Sequence, residues 1–193
     1  MSFSSWQDFN KFVHDVKNIN RYFYSSLSSE FILNIKNTLL NREIKLTSGK
    51  ILYRSQTGCE EGQFFEKQGF PINRMKPLRN SGVEGRGNPK GISYLYLSSN
   101  ENTSLAEQRP HIGQSLSVAR FKVSRDLKLV KCYSNSKYYS NIECLLNPPC
   151  SQEEIDDAVW SMIHNEFTKP IVNENHSSAY VPTQILTEYF KTE

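Results

Sequence analysis

An irregular segment over residues 57–91 holds seven of the nine glycines and three of the eight prolines of the chain. Loops longer than about 12–15 residues are uncommon inside compact domains, where they are usually either functional or disordered. The sequence on both sides of this segment is periodic, as folded elements require. We therefore expect regular elements before and after a long loop that is either functional or disordered.

The N-terminal part of the chain is predicted to be helical. Apolar residues recur at intervals of three and four over residues 5–43, in two runs separated by the polar sequence SSLSSE. Ser28 or Ser29 is the candidate N-cap of the second helix. The spacing therefore predicts two amphipathic helices.

Two further helices are predicted near the C-terminus. Residues 152–167 form an amphipathic pattern that opens with Ser151 and Glu154, the spacing of a capping box. A last helix is expected to begin near Pro182, because proline is tolerated in a first turn.

The middle of the chain is predicted to contain short strands. The candidates lie at residues 51–54, 92–98, 116–123 and 127–133. The last two are expected to form a hairpin across residues 124–126. Asn102 or Thr103 is expected to open a short helix that Pro110 ends. The order of these elements predicts an α+β domain with an N-terminal helical flank.

Composition excludes several classes of protein. Hydrophobic residues make up 37% of the chain, but no run of about 18 apolar residues occurs, so no membrane span is expected. The start MSFSSWQDFNKF lacks the basic and apolar regions of a secretory signal, so we predict a cytoplasmic protein. The four cysteines show no metal-ligand spacing and are interpreted as reduced structural thiols. A net charge of +3 without a basic stripe argues against direct nucleic-acid binding.

Three polar residues stand out, although each has an ordinary interpretation. Arg54 ends an apolar strand and fits a surface arginine equally well, Glu107 fits a solvated helix glutamate, and Tyr96 fits a core or edge aromatic. The sequence GRGNPKG at residues 85–91 has neither the ending of a P-loop nor the spacing of a dinucleotide fingerprint. Taken separately, these residues decide nothing.

Their order along the chain is more specific. Tyr53-Arg54, then EGRGNPKGISYLYLS, NTSLAEQRP, a predicted hairpin and YVPTQILTEYF resemble the RES-domain family. The resemblance runs from about residue 5 to residue 193 and is closest to longer members, which carry the helical flank, an RMKP segment and an AVW helix. It implies an ADP-ribosyltransferase-like core with small antiparallel or split β-sheets. It also implies a helical extension over residues 1–47 and a RES domain over residues 48–193.

The resemblance also implies a set of site residues. Arg54 matches the family's arginine, Glu107 its glutamate and Tyr96 its active-site tyrosine, so these three are the predicted catalytic residues. Arg86 and Asn88 match the GRxNPxG loop that lies against the dinucleotide. Together with Arg54 and Tyr96, they are the predicted NAD⁺-binding residues.

The family's third named residue, a serine, has no counterpart here. In the family it follows the helix of a TQ motif, which corresponds to Thr183-Gln184 in this sequence. The chain ends about nine residues into that helix. We therefore expect a member truncated at its C-terminus.

The activity implied by the resemblance is toxin-like degradation of NAD⁺, by phosphorolysis or hydrolysis. NAD⁺ is then a substrate, inorganic phosphate a co-substrate of the phosphorolytic reaction, and no resident cofactor or metal is expected. An Xre-type antitoxin is an implied partner, and the oligomeric state stays open. Two alternatives stay open as well: an ADP-ribosyltransferase that modifies a macromolecule, and a non-catalytic NAD-binding or interaction protein.

Overall fold

The protein has an α+β fold of helices and small two-stranded sheets. The computed structural model describes residues 2–62, 64–78, 82–133, 139–170 and 177–192. Contacts divide the chain into two compact units. Unit 1 comprises Met1–Ile44, Glu84–Pro89 and Leu129–Glu193, and unit 2 comprises Lys45–Val83 and Lys90–Lys128. The family boundaries predicted from sequence, 1–47 and 48–193, stay a prediction.

Helices and strands are interspersed along the chain. The helices are α1 Asp8–Asn18, α2 Ser26–Leu39, α3 Ile72–Met75, α4 Glu101–Glu107, α5 Asn141–Leu146, α6 Gln152–Thr168 and α7 Val181–Thr192, with 3-10 turns at Leu40–Arg42 and Ser177–Tyr180. The strands are β1 Glu43–Leu46, β2 Ile51–Thr57, β3 Glu60–Glu61, β4 Lys67–Gln68, β5 Leu116–Lys122 and β6 Leu127–Val130. Among the described residues, no helix combines the length and apolar character needed to cross a bilayer.

Unit 1 is built around a buried apolar core contributed mainly by α1, α2, α6 and α7. The rings of Phe12 and Phe31 stack with centroids 4.6 Å apart, which joins α1 to α2. Trp160 of α6 is fully buried, and its indole nitrogen donates to Thr38 Oγ1 at 3.2 Å. Burial of these large side chains supplies the main stabilisation of this unit.

Helix ends in unit 1 follow capping chemistry. Ser151 and Glu154 form the predicted capping box at the start of α6, and α7 begins one residue before Pro182, as expected. The predicted N-cap of α2 was wrong, because Ser25 caps this helix by accepting from the backbone amide of Ser28. The Ser28 hydroxyl instead donates to the buried Asp15 carboxylate.

Unit 2 contains the longest pair of strands. β2 and β5 run antiparallel, with Ile51 opposite Lys122 and Thr57 opposite Leu116. The predicted hairpin between residues 116–123 and 127–133 is wrong, since β5 pairs with β2 and β6 pairs with β1. The carboxylate of Asp126, in the intervening turn, accepts from the Ser48 amide at 2.8 Å, so this turn contacts the segment between β1 and β2.

The predicted strand at residues 92–98 is also wrong. Among the described residues, the strand pairing of this segment is an isolated bridge at Ser98, made by two backbone bonds of 2.8 Å to Tyr53 on β2. Farther back, Ser93 Oγ donates to the Leu78 carbonyl, so the segment contacts a loop there and not a strand. The short helix α4 is confirmed, but Asn100 caps it in place of the expected Asn102 or Thr103.

All four cysteines are free thiols. Cys144 is buried and Cys150 is exposed. Burial raises the pKa of Cys132 to about 11, against a smaller opposing effect of the Arg42 charge. This thiol is therefore protonated and unreactive near neutral pH.

Candidate active site

A contact between two buried hydroxyls fixes helix α4 on strand β2. Ser55 Oγ and Ser104 Oγ lie 2.8 Å apart, and the two residues are 4% and 3% exposed. Residues three apart share a face of an α-helix, so the side of α4 that meets β2 also carries Glu107. The serine pair therefore sets the position of the glutamate relative to the strand.

A polar cavity of about 360 Å³ lies at this junction within unit 2. Its lining includes the three predicted catalytic residues, Arg54, Tyr96 and Glu107. The remaining lining residues are Tyr53, Ser55, Gln56, Ser104 and Gln108. The volume lies toward the lower end of the ~300–1,000 Å³ range of ligand sites. The structure thus brings the three residues together, while their catalytic roles stay a prediction.

The guanidinium of Arg54 is only partly satisfied. Its Nη2 donates to the side-chain oxygen of Gln56 at 2.8 Å, with the amide oriented so that this oxygen faces the donor. Its Nη1 is buried and has no hydrogen-bond partner among the described residues. Burial lowers the pKa of Arg54, and the nearby charge of Arg74 lowers it further. Arginine nonetheless keeps its charge at neutral pH, so this cation is a donor that lacks an acceptor.

The other two residues are accessible from solvent. Tyr96 is 48% exposed, and the Ser98–Tyr53 bridge two residues later ties its segment to the edge of β2. Glu107 is exposed at the last turn of α4. No ion pair joins Glu107 to Arg54 in the described part of the chain. Both charged groups are therefore available to a ligand.

Arg86 and Asn88 belong to unit 1, whereas the cavity residues belong to unit 2. The Arg86 guanidinium donates to the carbonyls of Glu166 and Lys169 at the end of α6, both at 2.9 Å. It also lies over the ring of Tyr180, 5.8 Å from the centroid. Asn88 is 2% exposed. The loop is thus held on the helices of unit 1, and the predicted dinucleotide contacts of both residues stay a prediction.

The TQ motif of α7 fixes this loop, a role that the sequence interpretation missed. Thr183 Oγ1 donates to the Arg86 carbonyl at 2.6 Å. Gln184 Nε2 lies 3.0 Å from the Gly85 carbonyl and 3.1 Å from the Asn88 carbonyl. The match of Thr183-Gln184 to the TQ motif of the RES-domain family was the only sequence signal for this role. No local pattern relates α7 to a loop nearly a hundred residues earlier.

A larger cavity of about 600 Å³ lies elsewhere, against α1 and the start of α2. Its acidic lining residue, Asp15, already accepts hydrogen bonds from Ser25 and Ser28, which lower the pKa of this carboxyl. None of the predicted site residues lies there. The smaller cavity of unit 2 is therefore the stronger candidate for chemistry.

Fold and cavity together define an α+β protein with a cationic donor, a carboxylate and a phenol around one polar cleft. The RES domain family matches residues 67–193 of this chain, and the chain belongs to that family. Tyr96, Glu107, Arg86 and Asn88 lie inside the matched range, and Arg54 precedes it. No curated protein and no solved structure matches the chain. The predicted ADP-ribosyltransferase-like core therefore stays a prediction.

RES domains are associated with NAD⁺-related, toxin-type enzymes. This association is general and does not specify the reaction. The argument for a particular reaction therefore depends on the side chains that line the cavity.

Proposed function

We propose that this protein degrades NAD⁺ by cleaving the bond between nicotinamide and ribose, with phosphate or water as the acceptor. The observation that carries the proposal is the grouping of Arg54, Tyr96 and Glu107 around one cavity, where Arg54 Nη1 is buried without an acceptor. A buried donor of this kind costs free energy unless it is hydrogen-bonded, and a phosphate oxygen is a suitable acceptor. Family membership supports the same class of substrate.

The reaction breaks the C–N bond at the anomeric carbon of the nicotinamide ribose. Nicotinamide leaves with the bonding pair and becomes neutral, and the sugar develops oxocarbenium character. An oxygen of inorganic phosphate then bonds to this carbon and gives ADP-ribose phosphate. If water attacks instead, the product is ADP-ribose and one proton is released. The protein must therefore stabilise a cationic sugar and exclude the wrong acceptor.

Glu107 suits the stabilising role. A carboxylate placed beside the ribose interacts more strongly with the developing cation than with the ground-state sugar, which lowers the barrier. Preorganised electrostatic groups of this kind contribute on the order of 3–4 kcal/mol. Tyr96 offers an aromatic face to the nicotinamide ring and a hydroxyl for a polar contact.

Arg54 is the proposed contact of this cavity with the phosphate-bearing part of the dinucleotide. Arg86 and Asn88 of unit 1 stay predicted NAD⁺-binding residues on the ground of the resemblance alone. Arg54 offers paired donors in fixed geometry, which match phosphate oxygens. Arg86 uses two terminal nitrogens on carbonyls of α6, so a phosphate would engage its remaining N–H groups.

The test is nicotinamide release from NAD⁺, measured by chromatography with and without phosphate. We expect Glu107→Gln to lower the rate by about 10²–10³-fold, the usual cost of losing one stabilising electrostatic group. Glu101→Gln is the matched control, because Glu101 is an exposed glutamate in the first turn of the same helix. Equal rates for the wild type and Glu107→Gln would refute the proposal.

One observation favours a second candidate, transfer of ADP-ribose to a macromolecule. Tyr96 and Glu107 are both open to solvent, which leaves room for a large acceptor. Labelled NAD⁺ separates the candidates: label on protein or nucleic acid indicates transfer, and label in free ADP-ribose or its phosphate indicates degradation. Binding of NAD⁺ without either product would identify a non-catalytic NAD-binding protein. An Xre-type antitoxin is also proposed as a partner. Co-purification of such a protein with this one, expressed from its native genetic locus, tests the proposal.

A further inference from the structure

A second arginine lies beside the Arg54 guanidinium. Gln56, on the same face of β2 as Arg54, connects the two: its side-chain oxygen accepts from Arg54 Nη2, and its nitrogen donates to the Arg74 carbonyl at 3.3 Å. Arg74 lies on the short helix α3, within the irregular segment that the sequence singled out. The two cations are close enough for the charge of Arg74 to depress the pKa of Arg54.

The Arg74 side chain rests on a rigid support. Its guanidinium lies over the ring of Phe70, 5.2 Å from the centroid. The Phe70 amide donates to Ser117 Oγ at 2.9 Å, and that hydroxyl donates to the Gly58 carbonyl at 2.8 Å. Gly58 has φ +107°, and a Cβ there would lie 2.9 Å from the Phe70 ring. Ser117 is buried and Phe70 is half-buried, so these hydrogen bonds fix the ring, and the ring supports the exposed side chain of Arg74.

No carboxylate neutralises this pair. Within residues 2–62, 64–78, 82–133, 139–170 and 177–192, neither Arg54 nor Arg74 forms an ion pair with an acidic side chain. Like charges at short range repel, and partial burial of Arg54 strengthens that repulsion by reducing screening. Two preorganised guanidinium groups without a counter-charge are the arrangement that binds phosphate oxygens.

We propose that Arg54 and Arg74, whose side chain and backbone respectively are joined through Gln56, form an anion subsite that binds a phosphate group of the reactants. This inference rests on the proposed function and extends it, since it makes Arg74 a substrate-binding residue. The phosphate group comes either from the diphosphate of the dinucleotide or from the inorganic phosphate that attacks the ribose.

Calorimetric titration with ADP-ribose and with inorganic phosphate tests the subsite without requiring turnover. We expect Arg74→Gln to weaken binding of one of these ligands by on the order of 10–100-fold, the range of a charge-assisted hydrogen bond. Arg74→Lys keeps the charge and should recover part of that loss. Arg125→Gln removes an exposed arginine from a turn of the same unit and should bind like the wild type.

The two ligands distinguish the two sources of phosphate. A loss confined to ADP-ribose assigns the subsite to the diphosphate, and a loss confined to inorganic phosphate assigns it to the co-substrate. In the steady state, the KM for NAD⁺ in the first case, or for inorganic phosphate in the second, should rise more than kcat falls, because the missing interaction is one of binding. Either pattern supports the subsite.

Failure of this inference is separable from failure of the proposed function. If the wild type releases nicotinamide and Arg74→Gln binds both ligands unchanged, the subsite is refuted and the function stands. If ADP-ribose binding depends on Arg74 but no nicotinamide is released, the function is refuted and the subsite stands. If the wild type binds neither ADP-ribose nor inorganic phosphate, the subsite is also refuted.

Discussion

Replacing Gln184 by alanine should destabilise unit 1, because this amide holds the loop of residues 84–89. Gln184 is 7% exposed, and its Nε2 lies within 3.3 Å of three acceptors, the carbonyls of Gly85 and Asn88 and the carboxylate of Glu84. An amide nitrogen has two hydrogens, so two of these contacts are made at once.

The magnitude follows from those two bonds. Each contributes a net ~0.5–1.5 kcal/mol, and the carbonyls of Gly85 and Asn88 each keep a backbone amide donor in the variant. We therefore expect Gln184→Ala to lower the free energy of unfolding by about 1–3 kcal/mol. Glu188→Ala is the control, since Glu188 is exposed one turn later on the same helix and gains the same alanine propensity. A change within about ±0.5 kcal/mol is expected there.

Urea denaturation followed by tryptophan fluorescence is the appropriate assay. Both tryptophans of the chain, Trp6 and Trp160, belong to unit 1, so the fluorescence reports on the unit that contains Gln184 and the loop of residues 84–89. Amide hydrogen exchange adds a local measurement, because Gly85 and Asn88 bond to each other's carbonyls at 3.0 and 3.3 Å and should exchange faster in the variant. Equal stability of Gln184→Ala and the wild type, with unchanged amide exchange, would refute the claim that Gln184 holds the loop of residues 84–89.

Two further predictions concern the serine pair and the acid response. Ser55→Ala and Ser104→Ala should each destabilise unit 2 by about 1–3 kcal/mol by leaving a buried hydroxyl unpaired, while the double variant should cost less than their sum; additive costs in thermal melts would contradict the pairing. Burial opposes ionisation of Glu166, but hydrogen bonds and charges from Lys169 and Lys17 outweigh it and lower its pKa. A depressed carboxyl pKa stabilises the fold above the unfolded value of about 4.3, and this stabilisation is lost as pH falls through the folded value. Glu166→Gln should therefore flatten the acid limb of stability below about pH 4, measured by denaturation at pH 3–7, and an unchanged slope would contradict this coupling.

Elements with local signals were predictable from the sequence. Helical periodicity located α1 and α2, and the capping box located the start of α6 because Ser151 and Glu154 satisfy each other's backbone over three residues. Local signals of this kind do not depend on the rest of the chain. The pairing of strands does depend on it.

Apart from the N-caps of α2 and α4, the errors concern the pairing of strands. Alternation in residues 116–123 predicts a strand but not its partner, and a short turn favours a hairpin only if no other edge competes. Here β5 pairs with β2, a strand much earlier in the chain, and this pairing places Tyr53 opposite Arg120. The segment at 92–98 has strand-like alternation but, within the part of the chain that the structure describes, forms an isolated bridge at Ser98 and no strand.

The candidate site was partly predictable. Motif order drew attention to Arg54, Tyr96 and Glu107, which line one cavity. Motif order gave no sign that Arg74 lies beside Arg54, because their proximity depends on Gln56 and on the aromatic support of Phe70. Such supporting contacts are long-range and made by common residue types.

The unpaired nitrogen of Arg54 also has a practical consequence for ligand discovery. A buried donor lacking an acceptor makes the native state less stable than it would be with one. Any solute that supplies an acceptor oxygen to this nitrogen raises the melting temperature by mass action, whether or not it is turned over. Measuring the melting temperature of the protein with each member of a panel of nucleotides and sugar phosphates would therefore rank these compounds as ligands by the increase that each one causes.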